Sequence, residues 1–234
     1  MSLECLILDR KNAKNNEDYD IKIDFDNTII GQNSGVRLLV AYLAVRLGLN
    51  KDMAFKYENR GTLNELLSWT WDYSKKGITS KKGIINSLDV MTDIGGALST
   101  AMIYKIGLHK PDEAIEALIK PLERCPLELR DYITDNLTIN DKLYTKKGKI
   151  NTTDIIKGRR LRIRSRNDVN LIKEFIEKNK DFFSIVEGPI QIVANEFEIN
   201  NNYYTGKIKQ LNVYGKEQFH YGKEHIEHKG FIYV

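Results

Sequence analysis

The chain has 234 residues, 41% hydrophobic and 29% charged, with 36 lysines and arginines against 32 aspartates and glutamates and a formal net charge of +4. This is enough for one sizeable core, or a core plus an inserted subdomain, and the composition is that of an ordinary globular protein rather than a disordered one. The small positive balance suits an anionic small ligand without calling for nucleic acid, and two distant cysteines, Cys5 and Cys125, exclude a disulfide framework and predict a reducing, cytoplasmic location.

In chain order, residues 3–8 read as a short strand and the polar run 9–18 as an exposed loop. No signal peptide is predicted at the amino terminus. The stretch Ile21-Lys22-Ile23-Asp24-Phe25-Asp26-Asn27-Thr28 reads as a strand ending abruptly in two carboxylates. Ligands of open α/β sheets bind at the carboxyl ends of strands, so chemistry is expected here. Two carboxylates this close repel unless a cation or proton lies between them or both are solvated.

From about residue 31 to 140 the pattern turns helical. Leu38, Leu39, Tyr42, Leu43, Val45 and Leu47 fit an amphipathic face that Gly48 stops, and Leu63, Leu66, Leu67 and Trp71 continue at helical spacing. A helix is predicted over 112–118, with Pro111 in its first turn, and another over 127–133 after the break marked by Pro121 and Pro126. Trp69, Trp71 and Tyr73 are read as packing a small helical core in preference to lining a pocket. The apolar segments 36–49 and 91–108 are interrupted by Arg37 and Arg46 and by Asp93 and Lys105, so no membrane span is predicted.

Residues 138–157 read as a return connection. Strand signals resume at 161–163, 183–186, 190–194 and 230–234, with a helix over 169–178 whose stripe is Val169, Ile172, Phe175 and Ile176. This order predicts an α/β fold with a parallel sheet. Ser165 follows the strand 161–163, and Asn167 or Asp168 is the predicted cap of the helix, whose first backbone N–H groups can help bind a phosphoryl oxygen. Asn200-Asn201-Asn202 supplies a turn between two strand-like runs, 192–199 and 203–208.

The pattern Asp-x-Asp-x-Thr at Asp24, Asp26 and Thr28 resembles motif I of the haloacid dehalogenase (HAD) superfamily, most of whose members are phosphatases. Ser165 after an apolar strand resembles its motif II, and the order of elements from 192 to 208 looks like the phosphoserine-phosphatase-like branch. The resemblance covers residues 21–30 and about 158–234. It implies a three-layer, Rossmann-like α/β core with a parallel sheet, built from residues 1–30 and 151–234, with an α-helical cap inserted at 31–150. Lys216 is the best match to the motif III lysine and Lys223 the runner-up. Motif IV is missing: residues 230–234 look like the strand before it, but no acidic pair follows and no aspartate occurs after Asp181.

What the resemblance implies is a phosphatase acting on a small phosphomonoester. Asp24 is the implied nucleophile, forming an aspartyl-phosphate, and Asp26 the general acid and base. Both reach one phosphoryl group if the chain turns after Asp24. Thr28, Ser165 and Lys216 would contact phosphate, and Mg2+ would be held by Asp24 and the backbone carbonyl of Asp26. The absent motif IV predicts weak magnesium binding and impaired or absent turnover, so one alternative is an inactive binding or regulatory protein on the same fold. A second is nucleic-acid binding through the basic run 157–166, aided by Tyr203, Tyr204, Tyr214 and Phe219, a partner the composition disfavours. His220, His225 and His228 are read as a solvated polar helix rather than a zinc site. Lys22, Arg162 and Arg164 fall inside predicted central strands, where buried charge is costly. The oligomeric state and the identity of the substrate are not fixed by any of these residues.

Overall fold

The computed structural model describes residues 3–15, 18–56, 92, 95–96, 111–145, 148–213, 225–227 and 231–233. In chain order its elements begin with β1 (Cys5–Ile7), α1 (Arg10–Asn15), β2 (Ile21–Asp24), a π turn (Phe25–Ile29), α2 (Ser34–Arg46), a 3-10 turn (Lys51–Phe55), α3 (Pro111–Ile119) and a second 3-10 turn (Lys120–Leu122). There follow α4 (Leu127–Asn136), β3 (Lys142–Thr145), β4 (Gly148–Asn151), α5 (Thr152–Ile156), β5 (Leu161–Asp168) and α6 (Val169–Lys178). The last are α7 (Lys180–Phe183), β6 (Ile190–Asn200), β7 (Tyr203–Gln210), β8 (His225–Glu227) and β9 (Phe231–Tyr233). The chain divides into two compact units, one of Met1–Gln32, Thr134–Glu196 and Lys209–Val234, the other of Asn33–Ile133 and Phe197–Ile208.

The first unit is a mixed α/β body whose sheet runs β1-β6-β5-β2-β8-β9-β3-β4. The run from β1 to β8 is parallel. Alternation along β2 and β5 sends Ile21, Ile23, Leu161 and Ile163, all buried to 1% exposure or less, to one face. α6 buries Val169, Leu171, Ile172, Phe175 and Ile176, and Phe175 packs edge-on against Phe25 (5.4 Å) and Phe183 (6.4 Å).

The opposite face is polar along its centre. Arg162 lies there, donating from Nε and Nη2 to Gln191 Oε1 (2.8 and 2.6 Å) and from Nη1 to the Ala13 carbonyl (3.0 Å), with its guanidinium 4.0 Å from the Tyr19 ring. This explains how a central strand tolerates that arginine: its donors meet acceptors, and its plane stacks on a ring. Burial nonetheless pulls its pKa down from the usual arginine range.

Several segments differ from the sequence expectation. Residues 10–15, expected in a loop, are helical. Asp9 caps the turn, its Oδ1 accepting from Asn12 N (2.7 Å), and buried Ala13 joins Leu8, Val193 and Val213 in a small apolar cluster. One alanine in six residues is too little for a periodic signal. The supposed return connection contains the β3–β4 hairpin and α5, whose polar composition suits an edge of the sheet. The predicted strand at 183–186 instead ends the short helix α7, where Phe182 and Phe183 stack edge to face at 5.0 Å. Residues 225–227 form strand β8 beside β2, not a helix. The predicted features at Trp69, Trp71, Tyr73, Tyr214, Phe219, His220 and His228 lie outside the described residues.

In the second unit α2 is buried on nearly every side from Val36 to Ala44, not on one amphipathic face as the sequence predicted. Such a helix fills the middle of its unit. Arg37 within it donates to the Ala54 carbonyl and lies over the Phe55 ring, and Tyr42 Oη donates to the Glu123 carbonyl at 2.7 Å. The β6–β7 hairpin turns at Asn201 and Asn202, both left-handed (φ 49° and 65°), as the asparagine run predicted. Residues 124–127 are laced to it, with Arg124 N donating to Tyr204 O (2.8 Å), Tyr204 N to Cys125 O (2.9 Å) and Leu127 N to Asn202 O (3.0 Å). Burial pushes the Cys125 thiol far up, so it behaves as an apolar filler.

Candidate functional site

Strand β2 ends at Asp24, and the backbone leaves the sheet at once through the π turn. Asp24 is extended (φ −75°, ψ 148°) and its Oδ1 accepts from Phe25 N at 3.0 Å. Asp26 has non-helical angles (φ −70°, ψ 133°), and Asn27 is left-handed (φ 61°), a conformation asparagine adopts more readily than most residues. Asn27 N donates to Gln32 O (2.9 Å) and Ile30 N to Phe25 O (3.1 Å), closing the loop. From behind, Asn140 Nδ2 donates to Thr28 O (2.7 Å) and Asn140 N to Ile29 O (2.8 Å).

The neighbouring strand brings Ser165 to this loop. β2 and β5 are parallel, with Asp24 opposite Arg164. Just past that pair β5 slips against β6: Arg164 faces Val193, and Asp168 faces Asn195, so four steps on β5 match two on β6. Such a bulge re-aims side chains at a strand end. Ser165 is 2% exposed; its Oγ donates to Asp26 Oδ2 at 3.0 Å and accepts from Asn167 N at 3.0 Å. Asp168 caps α6, accepting from Asn170 N at 3.3 Å. Asp24, Asp26 and Ser165 are therefore gathered at the carboxyl ends of two adjacent strands. Thr28 lies in the same loop, fully buried, and its Oγ1 and the Asn27 Oδ1 have no hydrogen-bond partner. Lys216 and its runner-up Lys223 lie outside the described residues.

Three asparagines that sequence reasoning left without a role support this geometry. Asn140 holds the turn. Asn195, fully buried, donates from Nδ2 to Arg166 O (2.8 Å) and Val213 O (3.1 Å) and accepts at Oδ1 from Asn212 N (2.9 Å) and Val213 N (2.8 Å). Asn212 in turn donates to Ala194 O (2.9 Å) and accepts from Arg10 N (3.1 Å). The signal for Asn195 was an amide directly after the apolar run Ile192-Val193-Ala194.

The donor set of the loop is hard oxygen, two half-buried carboxylates and backbone carbonyls, of the type Mg2+ accepts when waters and substrate oxygens complete its shell. Among the described residues, no group of three or more His, Cys, Asp or Glu is placed to hold a metal ion. The basic run at 157–166 does not form one exposed stripe. Arg160 pairs with Asp18 and Asp20, the latter at 2.8 Å, which raises its pKa, and Arg162 and Arg164 are buried. Among the described residues no helix is long and apolar enough to cross a membrane.

No protein family and no curated protein matches the chain by sequence. Solved structures similar to it include a phosphoserine phosphatase with a phospho-aspartyl intermediate analogue (12% identity, 83% of this chain and 64% of that one, TM-score 0.42). A HAD family hydrolase from Salmonella enterica serovar Typhi matches at 13% identity over 81% of this chain and 44% of that one, with a TM-score of 0.43. A protein of unknown function from Bordetella pertussis matches at 11% identity over 81% and 65%, with a TM-score of 0.43. The chain thus spans 44–65% of the length of these three proteins. Identities of 9–13% leave function to be argued from the residues themselves.

Proposed function

We propose that the chain is a phosphoric monoester hydrolase of HAD type acting on a small phosphorylated metabolite inside the cell. The observation that carries this reading is the 3.0 Å hydrogen bond from Ser165 Oγ to Asp26 Oδ2. It joins the second carboxylate of Asp-x-Asp-x-Thr to the hydroxyl after the neighbouring strand, two groups 139 positions apart. A shared phosphoryl ligand gives a reason for that meeting. The two free cysteines accord with a cytoplasmic location, and the second unit is assigned the role of substrate-selecting cap.

In this reading a carboxylate oxygen of Asp24 attacks phosphorus, and the bond from phosphorus to the ester oxygen breaks. Asp26 gives its proton to the departing alkoxide, which leaves as the alcohol. Asp26, now a carboxylate, takes a proton from water, and the hydroxide attacks phosphorus of the aspartyl-phosphate. The bond to Asp24 breaks, and inorganic phosphate leaves with Asp24 restored. Ser165, which donates to Asp26 in the free site, turns its hydroxyl to a phosphoryl oxygen, and Thr28 and Lys216 are assigned to phosphate binding. Mg2+, held by the Asp24 carboxylate and the Asp26 carbonyl, would offset the negative charge brought together there.

The test is turnover of para-nitrophenyl phosphate and a panel of small phosphomonoesters with Mg2+. Asp24→Asn is expected to abolish turnover, and Asp26→Asn to slow alkyl esters far more than the activated aryl ester, whose leaving group needs no proton. Turnover surviving Asp24→Asn refutes the reading. No turnover at all would move the chain to its runner-up, a binding protein on the same fold.

A further inference from the structure

Four charged residues share one face of strands β2 and β5. Lys22 stands in register with Arg162, and Asp24 with Arg164. Register partners in a parallel pair point to the same side, and residues two apart on a strand do so as well. The bond from Arg162 to the Ala13 carbonyl identifies this side as the one toward α1. Lys22, Arg162 and Arg164 are 5%, 3% and 7% exposed, while Asp168, the cap of α6, is the one aspartate or glutamate among the buried described residues. Burying three cations on one patch of sheet is costly unless each meets acceptors or an anion.

Arg162 meets acceptors in Gln191 and Ala13 and stacks on Tyr19. Arg164 stands further along the same face, at the strand end. It is the last residue of β5 before the slip, level with Asp24, the last residue of β2, and its neighbour on the other side is Val193. The next residue, Ser165, bonds Asp26. Neighbouring strands lie about 4.8 Å apart, within easy reach of an arginine side chain.

Resting on the phosphatase reading above, we propose that Arg164 is a phosphoryl-binding residue of this chain, an arginine built into the sheet beside Asp24. Its guanidinium takes non-bridging oxygens of the phosphoryl group presented to Asp24. An arginine is suited to that place: it is charged at every working pH, and its planar fork matches two phosphate oxygens at once, which a lysine cannot do. Being anchored in a strand rather than a loop, the cation is in position before the ligand arrives, and it stabilises charge on the equatorial oxygens without reorganisation.

Inorganic phosphate is the probe, with binding measured by calorimetry on the full chain and folding checked by circular dichroism. Wild type is expected to bind it, Asp24→Asn to bind as well or more tightly because a negative charge is gone, and Arg164→Gln to bind about tenfold or more weakly, the value of one charge-assisted hydrogen bond. If Arg164→Gln does not fold, Arg164→Lys, which keeps the charge, decides: a loss of about fivefold or more supports the bidentate role. Phosphate binding within about twofold of wild type in the folded variant, or none in wild type, overturns the proposal. Turnover separates the two claims. Activity that persists undiminished in the Arg164 variants overturns the proposal and leaves the phosphatase reading intact. Phosphate binding that depends on Arg164, in a chain without turnover, removes that reading and leaves the proposal standing.

Discussion

Replacing Asn195 by alanine tests whether the strand end that carries Ser165 is held by one amide. The side chain is fully buried and meets four backbone groups: the carbonyls of Arg166 and Val213 and the N–H groups of Asn212 and Val213. Truncation leaves all four without their partner. At about 1–3 kcal/mol for each buried unsatisfied group, the upper bound is about 4–12 kcal/mol. Water entering the vacated space, with about three hydrogen bonds to offer, recovers most of this. The expected cost is therefore about 3–4 kcal/mol, a large part of the 5–15 kcal/mol that holds a typical domain.

Asn195→Asp sharpens the test. It keeps an acceptor for the two N–H groups but turns a second oxygen toward two carbonyl oxygens, so its ionised form is opposed and its folded pKa should rise. A raised carboxyl pKa contributes stability below the unfolded value of about 3.9 and loses it as pH climbs through the folded value. The Asp variant is thus expected to approach wild type near pH 4 and fall away toward pH 8. Urea unfolding followed by circular dichroism at several pH values reads both effects. An alanine variant within about 1 kcal/mol of wild type, or an Asp variant whose deficit does not grow with pH, would refute the reasoning.

Two further outcomes follow from local geometry. Gly206 has φ +75°, and a Cβ there would lie 2.9 Å from the Lys120 carbonyl oxygen and 3.1 Å from the Glu123 Cβ. Gly206→Ala is expected to cost about 2–4 kcal/mol in urea unfolding, from left-handed backbone strain plus overpacking against main chain. Tyr132, desolvated and hydrogen-bonded to Asp52, has its phenol pushed up to about 12, while that bond holds the Asp52 carboxyl below its usual range. The stabilising effect of the tyrosine is therefore complete below pH 10 and lost as pH rises through about 12, and that of Asp52 is lost as pH falls through its lowered value. Titration at 295 nm, taken as wild type minus Tyr132→Phe, checks this; a component near pH 10 would contradict it.

The parts of the fold legible in the sequence were those where one physical signal dominates. β2 was visible because its apolar alternation stops at two carboxylates, α6 because Val169, Ile172, Phe175 and Ile176 recur at helical spacing behind Asp168, and the hairpin because asparagine tolerates the angles seen at Asn201 and Asn202. The meeting of Asp26 with Ser165 follows from the order of strands, which local pattern does not encode. α1 was invisible because its stability is tertiary: one buried alanine, the Asp9 cap and the donation from Arg162 to Ala13 O hold five polar residues in place. β3 and β4 were missed because an edge hairpin with little burial needs no apolar pattern.

The cations of β2 and β5 are the sharpest conflict between local and global preference. A strand reading Leu-Arg-Ile-Arg-Ser carries two arginines in five residues, yet Leu161 to Ser165 are all buried. Alternation explains how both properties coexist. One face of the strand supplies Leu161 and Ile163 to the apolar layer, and the other carries Arg162 and Arg164, with Lys22 and Asp24 from β2 alongside. The backbone irregularities fall at the end of that charged face: the π turn after Asp24, the left-handed Asn27, and the slip of β5 after Arg164. Each departs from the regular ladder, and departures of this type persist only where surrounding structure holds them. Here the holding groups are identifiable as Asn140 behind the turn and Asn195 behind the slip. A half-buried and a fully buried asparagine thus help fix where Asp24, Asp26 and Ser165 meet. Substitutions at those asparagines should accordingly disturb the site at distances where a change in the apolar layer would be felt only as lost stability.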